Sequence, residues 1–202
     1  MKTVFFDVDT QLDFMVPAGA LYVPGAERLV PHIAALTDFA RQNGYPILST
    51  VDTHLPDDPE FATWKPHCVI GTAGQQKLSS SLLQAGQYKV PSAPGVLETE
   101  VALEARQVLV EKEHVNCFAN PNLDHLLDVL GADRFVVYGL ATEVCVLEAT
   151  RGLLRKRKVV ELVTDAICGL SEKTGASAVR DLIREGARPT STAQVTTRSV
   201  HV

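Results

Sequence analysis

Short apolar segments alternate with amphipathic segments along most of the chain. Thr3–Val8 is apolar and aromatic, which is typical of a strand buried on both faces of a sheet. The next segment has a helical pattern, because Leu29, Ile33, Leu36 and Phe39 recur every three or four residues. Further strands are predicted at 46–51, 108–110, 134–138, 159–163 and 190–195, and further helices at 123–130, 143–155 and 172–185.

Strands that alternate with helices predict a parallel sheet, since right-handed crossovers place the helices on its two faces. We therefore predict an α/β, three-layer protein with a mostly parallel six-stranded sheet of the Rossmann-like type. A length of 202 residues suits one domain, and we expect a single domain over 1–202. The region from about 52 to 101 is too long for a plain crossover, and long irregular excursions of this kind are usually functional.

Composition and charge argue against several classes of function. With 46% hydrophobic and 21% charged residues, the chain is typical of a globular protein with a substantial core. A formal net charge of −5 argues against nucleic acid or an anionic membrane as the partner. No segment approaches the roughly 18 apolar residues that a membrane span requires, and Asp7 interrupts the apolar N-terminal segment. We expect a soluble, cytoplasmic protein without an export signal.

The four cysteines, Cys68, Cys117, Cys145 and Cys168, form no C-x-x-C pair and are expected to be free thiols. A free cysteine is commonly a small buried apolar residue, and we assign that role to three of them. Cys145 differs because it falls in the first turn of the helix predicted after the strand at 134–138. The helix dipole and the free N–H groups at such a position favour a thiolate and can form an oxyanion hole.

Reactive side chains follow four of the predicted strands. Because ligands bind beyond the carboxyl ends of the strands in open α/β sheets, we expect Asp9, Asp52, Lys112 and Cys145 at one edge. Taken alone, Asp9 could be a cap or turn residue, and Lys112 could extend its amine to solvent at the sheet edge. Together they indicate catalysis, with Cys145 as nucleophile, Asp9 as general base and Lys112 as the cation that lowers the pKa of the thiol.

A second polar cluster lies in the irregular region. Asp52, His54, Glu60 and His67 place two histidines and two carboxylates within sixteen residues. Imidazole nitrogen and carboxylate oxygen are ligands for zinc, iron and manganese. A solvated polar loop has the same composition, but an Asp-x-His pair at a strand end favours a metal site. We therefore expect a divalent metal ion, with zinc as the first choice and iron or manganese as alternatives.

The chain resembles the isochorismatase-like cysteine hydrolases, and within them the nicotinamidases. Asp9–Phe14 matches a D-x-Q-x-D-F motif, and Gly139–Val146 matches the nucleophile motif G-[hydrophobic]-A-T-[DE]-x-C-V. Trp64–Thr72 resembles the W-x-P-H-C-x-x-G-T segment of the nicotinamidases, and Lys112 stands where this family has its lysine. The resemblance covers nearly the whole length and implies the isochorismatase-like hydrolase fold.

The resemblance implies hydrolysis of a small carboxamide, and most specifically of nicotinamide to nicotinate and ammonia through a cysteine thioester. It implies that Asp9, Lys112 and Cys145 are the catalytic residues and that the peptide bond between Leu140 and Ala141 is cis. The N–H groups of Ala141 and Cys145 are then expected to form the oxyanion hole.

The resemblance to the nicotinamidases also implies a bound metal ion, with Asp52, His54 and His67 among its ligands. A further ligand is a histidine in some nicotinamidases and a glutamate in others, and Glu60 occupies the nearest position here. The ion is expected to hold the pyridine nitrogen of the substrate.

The substrate ring is expected to lie between Phe14 and Trp64, an aromatic contact worth about 0.5–1.5 kcal/mol. The expected partners are a small-molecule amide and further copies of the chain in a homo-oligomer. Three alternatives stay open. The substrate could be another small amide or carbamoyl compound, such as pyrazinamide, N-carbamoylsarcosine or maleamate. The protein could be an isochorismatase, or a binding subunit without catalysis.

Overall fold

A computed structural model describes residues 1–198 of the protein. The strands are β1 (Thr3–Val8), β2 (Ile47–Asp52), β3 (Gln87–Val90), β4 (Gln107–Lys112), β5 (Arg134–Leu140), β6 (Val159–Cys168) and β7 (Arg188–Thr190). The helices are α1 (Leu12–Met15), α2 (Val30–Gln42), α3 (Thr99–Glu104), α4 (Leu123–Leu130), α5 (Leu147–Arg155), α6 (Glu172–Arg184) and α7 (Thr192–Thr196). Within residues 1–198, no helix is both long and apolar enough to cross a membrane.

The strands form one sheet in the order β3-β4-β2-β1-β5-β6-β7, and all of its neighbouring strands are parallel. The prediction of an α/β fold with a parallel sheet is confirmed, with seven strands in place of six. Since all the strands point the same way, their carboxyl ends form a single edge, and this edge carries the polar residues described below.

Helices cover both faces of the sheet, which gives the three predicted layers. Consecutive residues of β1 point to opposite faces, as the pleat of a strand requires. Phe5 packs in the apolar cluster that contains Ile33 of α2. Phe6 packs in the cluster on the other face, with Leu126 of α4 and Leu153 of α5. Burial on both faces explains why the segment is apolar at almost every position.

The strand predicted at 190–195 is wrong over most of its length. The strand β7 ends at Thr190, and the helix α7 begins at Thr192. Ser191 and Gln194 form a capping box: the Ser191 hydroxyl accepts the Gln194 N–H at 3.2 Å, and the Gln194 side chain accepts the Ser191 N–H at 3.0 Å. This local pairing at the helix start overrides the β propensity of the threonine and valine residues.

The strand β3 was not predicted. It is a short edge strand inside the irregular region, and only its last residue, Val90, is fully buried. A strand that exposes most of its residues shows no apolar segment in the sequence. In the structure, β3 is recognised by its parallel pairing with β4.

The irregular region between β2 and β3 folds back onto the end of β1. The Leu12 N–H donates to the Gln76 carbonyl at 2.8 Å, and the Leu78 N–H donates to the Thr10 carbonyl at 2.9 Å. These antiparallel contacts hold the region against the carboxyl ends of the central strands, next to Asp9.

Candidate active site

Three side chains from distant parts of the sequence meet at the carboxyl edge of the sheet. Asp9 follows β1, Lys112 ends β4 and Cys145 lies in a π-helical turn after β5. The Lys112 amine lies 3.0 Å from Asp9 Oδ2 and 3.6 Å from Cys145 Sγ. All three side chains are buried. The geometry therefore brings the predicted carboxylate, amine and thiol into one cluster.

The backbone and side chain of Asp9 are held in one orientation. Its φ of 50° lies in the left-handed region, which is uncommon for a residue other than glycine and is found at functional sites. The Thr50 hydroxyl donates to Asp9 Oδ1 at 2.6 Å. Asp9 Oδ2 accepts no well-directed hydrogen bond from residues 1–198, although its 3.0 Å distance to the Lys112 amine is that of an ion pair. This oxygen can therefore accept a further proton.

A tight turn places Cys145 at the sheet edge. Gly139 has a φ of 121°, and a Cβ atom there would lie 2.0 Å from the Val8 carbonyl oxygen, so only glycine fits. The peptide bond between Leu140 and Ala141 is cis, as the resemblance implied. Cys145 precedes the regular α-helix rather than lying in its first turn, because Thr142–Val146 forms a π-helical turn.

Burial sets the charge states of the cluster. Burial raises the pKa of Cys145 well above its usual range, and the Lys112 charge opposes this only in part. Burial also raises the pKa of Asp9, although Lys112 opposes that shift. Burial disfavours the Lys112 ammonium, but Asp52 and Asp9 outweigh it and raise the pKa of the amine well above its usual range. Burial thus favours the thiol form of Cys145 and outweighs the lowering of its pKa by Lys112 that the sequence predicted.

Asp52, His54 and His67 form a second cluster beside the first. One ligand atom from each lies within 4.8 Å of the others. Asp52 Oδ2 lies 3.5 Å from His67 Nε2 and 3.9 Å from His54 Nε2. His54 Nε2 is buried and has no hydrogen-bond partner among the described residues. A buried imidazole nitrogen without a partner, beside a second imidazole and a carboxylate, fits the donor set of zinc and similar divalent ions.

The outer nitrogens of both histidines are held by other groups. His54 Nδ1 lies 3.0 Å from Asp58 Oδ2, and His67 Nδ1 lies 2.7 Å from the Lys65 carbonyl oxygen. Contacts of this kind orient histidine ligands in metalloproteins and leave the inner nitrogens free to bind. The three residues therefore fit a metal ion in both composition and orientation.

Glu60 is placed differently from the other predicted ligands. It is half-buried and borders the same pocket, but it is not part of the group of three ligand atoms. Burial and the nearby Asp52 carboxylate raise the pKa of Glu60.

A pocket opens over the two clusters. The space inside it, including its open mouth, is about 400 Å³. Both predicted aromatic residues border it, and Phe14 also packs against His67 with ring centroids 5.3 Å apart. The sequence analysis did not assign the other apolar residues of the wall, most of which lie in loops and turns without a periodic pattern. They are Leu21, Val23, Val115, Leu140, Val144 and Leu170.

The structure adds Glu143 to the residues that shape the site. Its carboxylate accepts the N–H groups of Leu170 and Ser171 at 3.2 and 3.3 Å, and also the Thr174 hydroxyl. Glu143 thereby ties the turn that carries the thiol to the loop that carries Leu170. Its membership of the nucleophile motif was the available signal, but the sequence alone did not indicate its contacts.

Two residues of the D-x-Q-x-D-F motif also have structural roles that the sequence analysis did not assign. The Gln11 side chain accepts the Asp52 N–H at 2.7 Å and donates to the Asp52 carbonyl at 2.8 Å. The Asp13 carboxylate accepts the N–H of Cys68, next to His67, at 2.7 Å. The motif thus fixes the backbone at or beside two of the three candidate ligands.

Comparison with known proteins identifies the family of the chain. Residues 3–194 match the family described as the Isochorismatase domain. The chain belongs to the isochorismatase family. It is 26% identical to the nicotinamidase/pyrazinamidase of Mycobacterium tuberculosis over 187 residues, which are 87% of this chain and 91% of that protein. This isochorismatase-family chain is therefore a hydrolase, and the similarity supports an amidase.

Solved structures of other proteins share the fold. The pyrazinamidase/nicotinamidase from Streptococcus mutans has a TM-score of 0.78 and 24% identity, with 94% of this chain and 100% of that chain covered. The pyrazinamidase of Pyrococcus horikoshii, solved in complex with zinc, has a TM-score of 0.77 and 23% identity, with 95% and 99% covered.

Proposed function

We propose that the protein hydrolyses a small carboxamide, in the first place nicotinamide to nicotinate and ammonia, through a thioester on Cys145. The observation that carries this proposal is the convergence of Asp9, Lys112 and Cys145 in one buried cluster, of which Asp9 and Cys145 line the pocket. The similarity to a nicotinamidase/pyrazinamidase supports the choice of substrate.

The first half of the reaction forms the thioester. Because Cys145 is a thiol at rest, its sulfur needs a base when it attacks the carboxamide carbon, and Asp9 accepts that proton. The Lys112 ammonium stabilises the negative charge that develops on the sulfur. The N–H groups of Ala141 and Cys145 are proposed to hold the oxyanion. As the C–N bond breaks, Asp9 returns the proton to the nitrogen, and ammonia leaves.

The second half hydrolyses the thioester with the same residues. Asp9 removes a proton from a water molecule, whose oxygen attacks the thioester carbonyl. The C–S bond then breaks, the carboxylic acid is released, and the proton on Asp9 returns to the Cys145 sulfur. One amide and one water thus yield one carboxylic acid and one ammonia, and the protein regains its starting state.

Asp52, His54 and His67 are proposed to hold a divalent metal ion, zinc in the first place, with Glu60 as an additional ligand. When bound, such an ion supplies a Lewis acid that can bind a ring nitrogen and fix the orientation of the substrate. Phe14 and Trp64 border the pocket and are proposed to contact the faces of the ring, which positions the carboxamide over Cys145.

The proposal is tested by ammonia release from nicotinamide, pyrazinamide, N-carbamoylsarcosine and maleamate, with and without a chelator. Nicotinamide is expected to have the highest kcat/KM, and Cys145→Ala should lower it by more than about a thousandfold. The matched control is Cys168→Ala, because Cys168 lies outside the pocket wall and should keep normal activity. Normal ammonia release from Cys145→Ala would refute the mechanism, and a preference for another amide would refute the substrate.

A further inference from the structure

The Asp58 carboxylate contacts His54, one of the three candidate metal ligands, on the side of the ring away from the other two. Asp58 precedes a short 3₁₀ turn at Pro59–Ala62 and caps it, with Oδ1 accepting the Glu60 N–H at 2.8 Å. Its other oxygen, Oδ2, lies 3.0 Å from Nδ1 of His54. One carboxylate thus fixes both a histidine ring and the backbone of the residue proposed as an additional ligand.

The contact with Asp58 determines which nitrogen of His54 is free. A carboxylate only accepts hydrogen bonds, so the proton of the neutral imidazole is held on Nδ1. The lone pair then lies on Nε2, which is buried and has no hydrogen-bond partner within residues 1–198. Nε2 is also the nitrogen that faces Asp52, at 3.9 Å from Oδ2. The tautomer that Asp58 selects is the one that can bind a metal ion.

We infer that Asp58 is a positioning residue that holds His54 in its metal-binding tautomer and orientation. The inference rests on the metal site proposed above, and Asp58 itself is not a ligand in it. His67 is oriented by the Lys65 backbone carbonyl, which no side-chain substitution removes. Asp58 is therefore the residue whose substitution can test how the candidate ligands are oriented.

Two substitutions separate the roles of Asp58. Asp58→Ala removes both contacts. Asp58→Asn keeps the size and remains a favoured cap, but its one acceptor oxygen cannot serve both the Glu60 N–H and the His54 ring. If the amide oxygen caps the turn, the amide NH₂ faces His54 Nδ1 and favours the tautomer with its proton on Nε2. That tautomer has no lone pair on Nε2 and cannot bind a metal ion through it. The Asn variant therefore tests the tautomer while the turn is kept.

The control is Asp57→Asn, because Asp57 is the neighbouring acid in the same loop and is exposed. It changes the net charge by the same amount and leaves His54 untouched. The metal-free forms of all variants are first compared by thermal unfolding. Metal affinities are then compared only among variants that are folded.

The experiment measures the Zn²⁺ affinity of the purified full chain by competition with a chromophoric chelator, and the visible absorption spectrum of the Co²⁺ form. Asp58→Ala and Asp58→Asn are expected to bind Zn²⁺ about 10–100-fold more weakly and to change the Co²⁺ spectrum, whereas Asp57→Asn should match the parent protein. If the parent protein binds and folded Asp58→Asn binds within about twofold of it, the role of Asp58 is refuted while the metal site stands. If the parent protein binds neither ion, the metal site itself is refuted, and the role of Asp58 falls with it.

Discussion

The Asp52 carboxylate pairs with the Lys112 amine through Oδ1, while its Oδ2 faces the nitrogens of His54 and His67. One side chain therefore belongs to both the cluster of Asp9, Lys112 and Cys145 and the candidate metal-binding cluster. Burial disfavours the Asp52 carboxylate, but Lys112 and the two histidines outweigh it and lower the pKa of Asp52 below its usual range. A change at Asp52 is thus expected to alter both clusters, and a change at His67 only one.

This sharing predicts different effects of two ligand variants on the thiol. The negative charge of Asp52 raises the pKa of Cys145, so its removal in Asp52→Asn should lower the pKa of the thiol. At a fixed pH, iodoacetamide should then alkylate Cys145 faster, by about tenfold for each unit by which the pKa falls. His67→Ala should leave the rate unchanged. The comparison is made on metal-free protein, and equal rates in the two variants would contradict the shared role of Asp52.

The resting state of the thiol predicts the pH dependence of alkylation in the parent protein. Because burial raises the pKa of Cys145 well above its usual value of 9.0, the thiolate fraction keeps rising through neutral and mildly alkaline pH. The alkylation rate at Cys145 should therefore increase about tenfold per pH unit between about pH 7 and pH 9. Peptide mass spectrometry measures alkylation at Cys145 separately from alkylation at the other cysteines. A rate that levels off below about pH 7 would show a resting thiolate instead.

Another buried ion pair joins β1 to the irregular region between β2 and β3. The Lys77 amine lies 3.0 Å from Asp7 Oδ2, and both side chains are almost fully buried. Lys77→Met leaves the Asp7 carboxylate without its cation, so the free energy of unfolding should fall by about 3–5 kcal/mol in urea titrations. The exposed Lys173→Met is the matched control and should change it by less than about 0.5 kcal/mol.

The double variant Asp7→Asn with Lys77→Met shows whether the uncompensated charge is the cause. Because it removes both charges, it should recover most of the stability that Lys77→Met loses. A Lys77→Met protein that loses under about 1 kcal/mol would contradict the structural importance of the pair.

The contacts of Glu143 predict an effect on substrate binding. Glu143→Gln keeps the shape but replaces one acceptor oxygen by an NH₂ group, which cannot accept the Leu170 or Ser171 N–H. Since Leu170 borders the pocket, KM should rise by about tenfold and kcat should fall less. Glu172→Gln, an exposed neighbour on α6, is the control. Steady-state kinetics in which kcat falls and KM is unchanged would assign Glu143 to the chemical step.

The sequence predicted the elements that are buried on both faces of the sheet and the helix end that is marked by a glycine. β1 was recognised because burial on both faces makes it apolar, and the end of α4 because Gly131 adopts a positive φ there. β3 was missed because an exposed edge strand has no apolar pattern. The strand predicted at 190–195 failed because a capping box starts a helix at that point.

The candidate site was predictable where function depends on strand ends, and not where it depends on loop packing. Asp9, Lys112 and Cys145 follow buried strands, so the parallel topology alone brings them to one edge. The contacts of Asp58 and Glu143 depend on how loops fold over that edge, and no periodic pattern encodes them. The resting charge of the thiol also depends on burial, which sequence position does not determine.

The most direct test of the account is the mass of the intact protein, acid-quenched within the first turnovers with nicotinamide. The account predicts that a fraction of the chains carries one added nicotinoyl group, that peptide mapping locates it on Cys145, and that Cys145→Ala shows none. Ammonia release by a protein that carries no such group, or that carries it on another residue, would contradict the thioester mechanism.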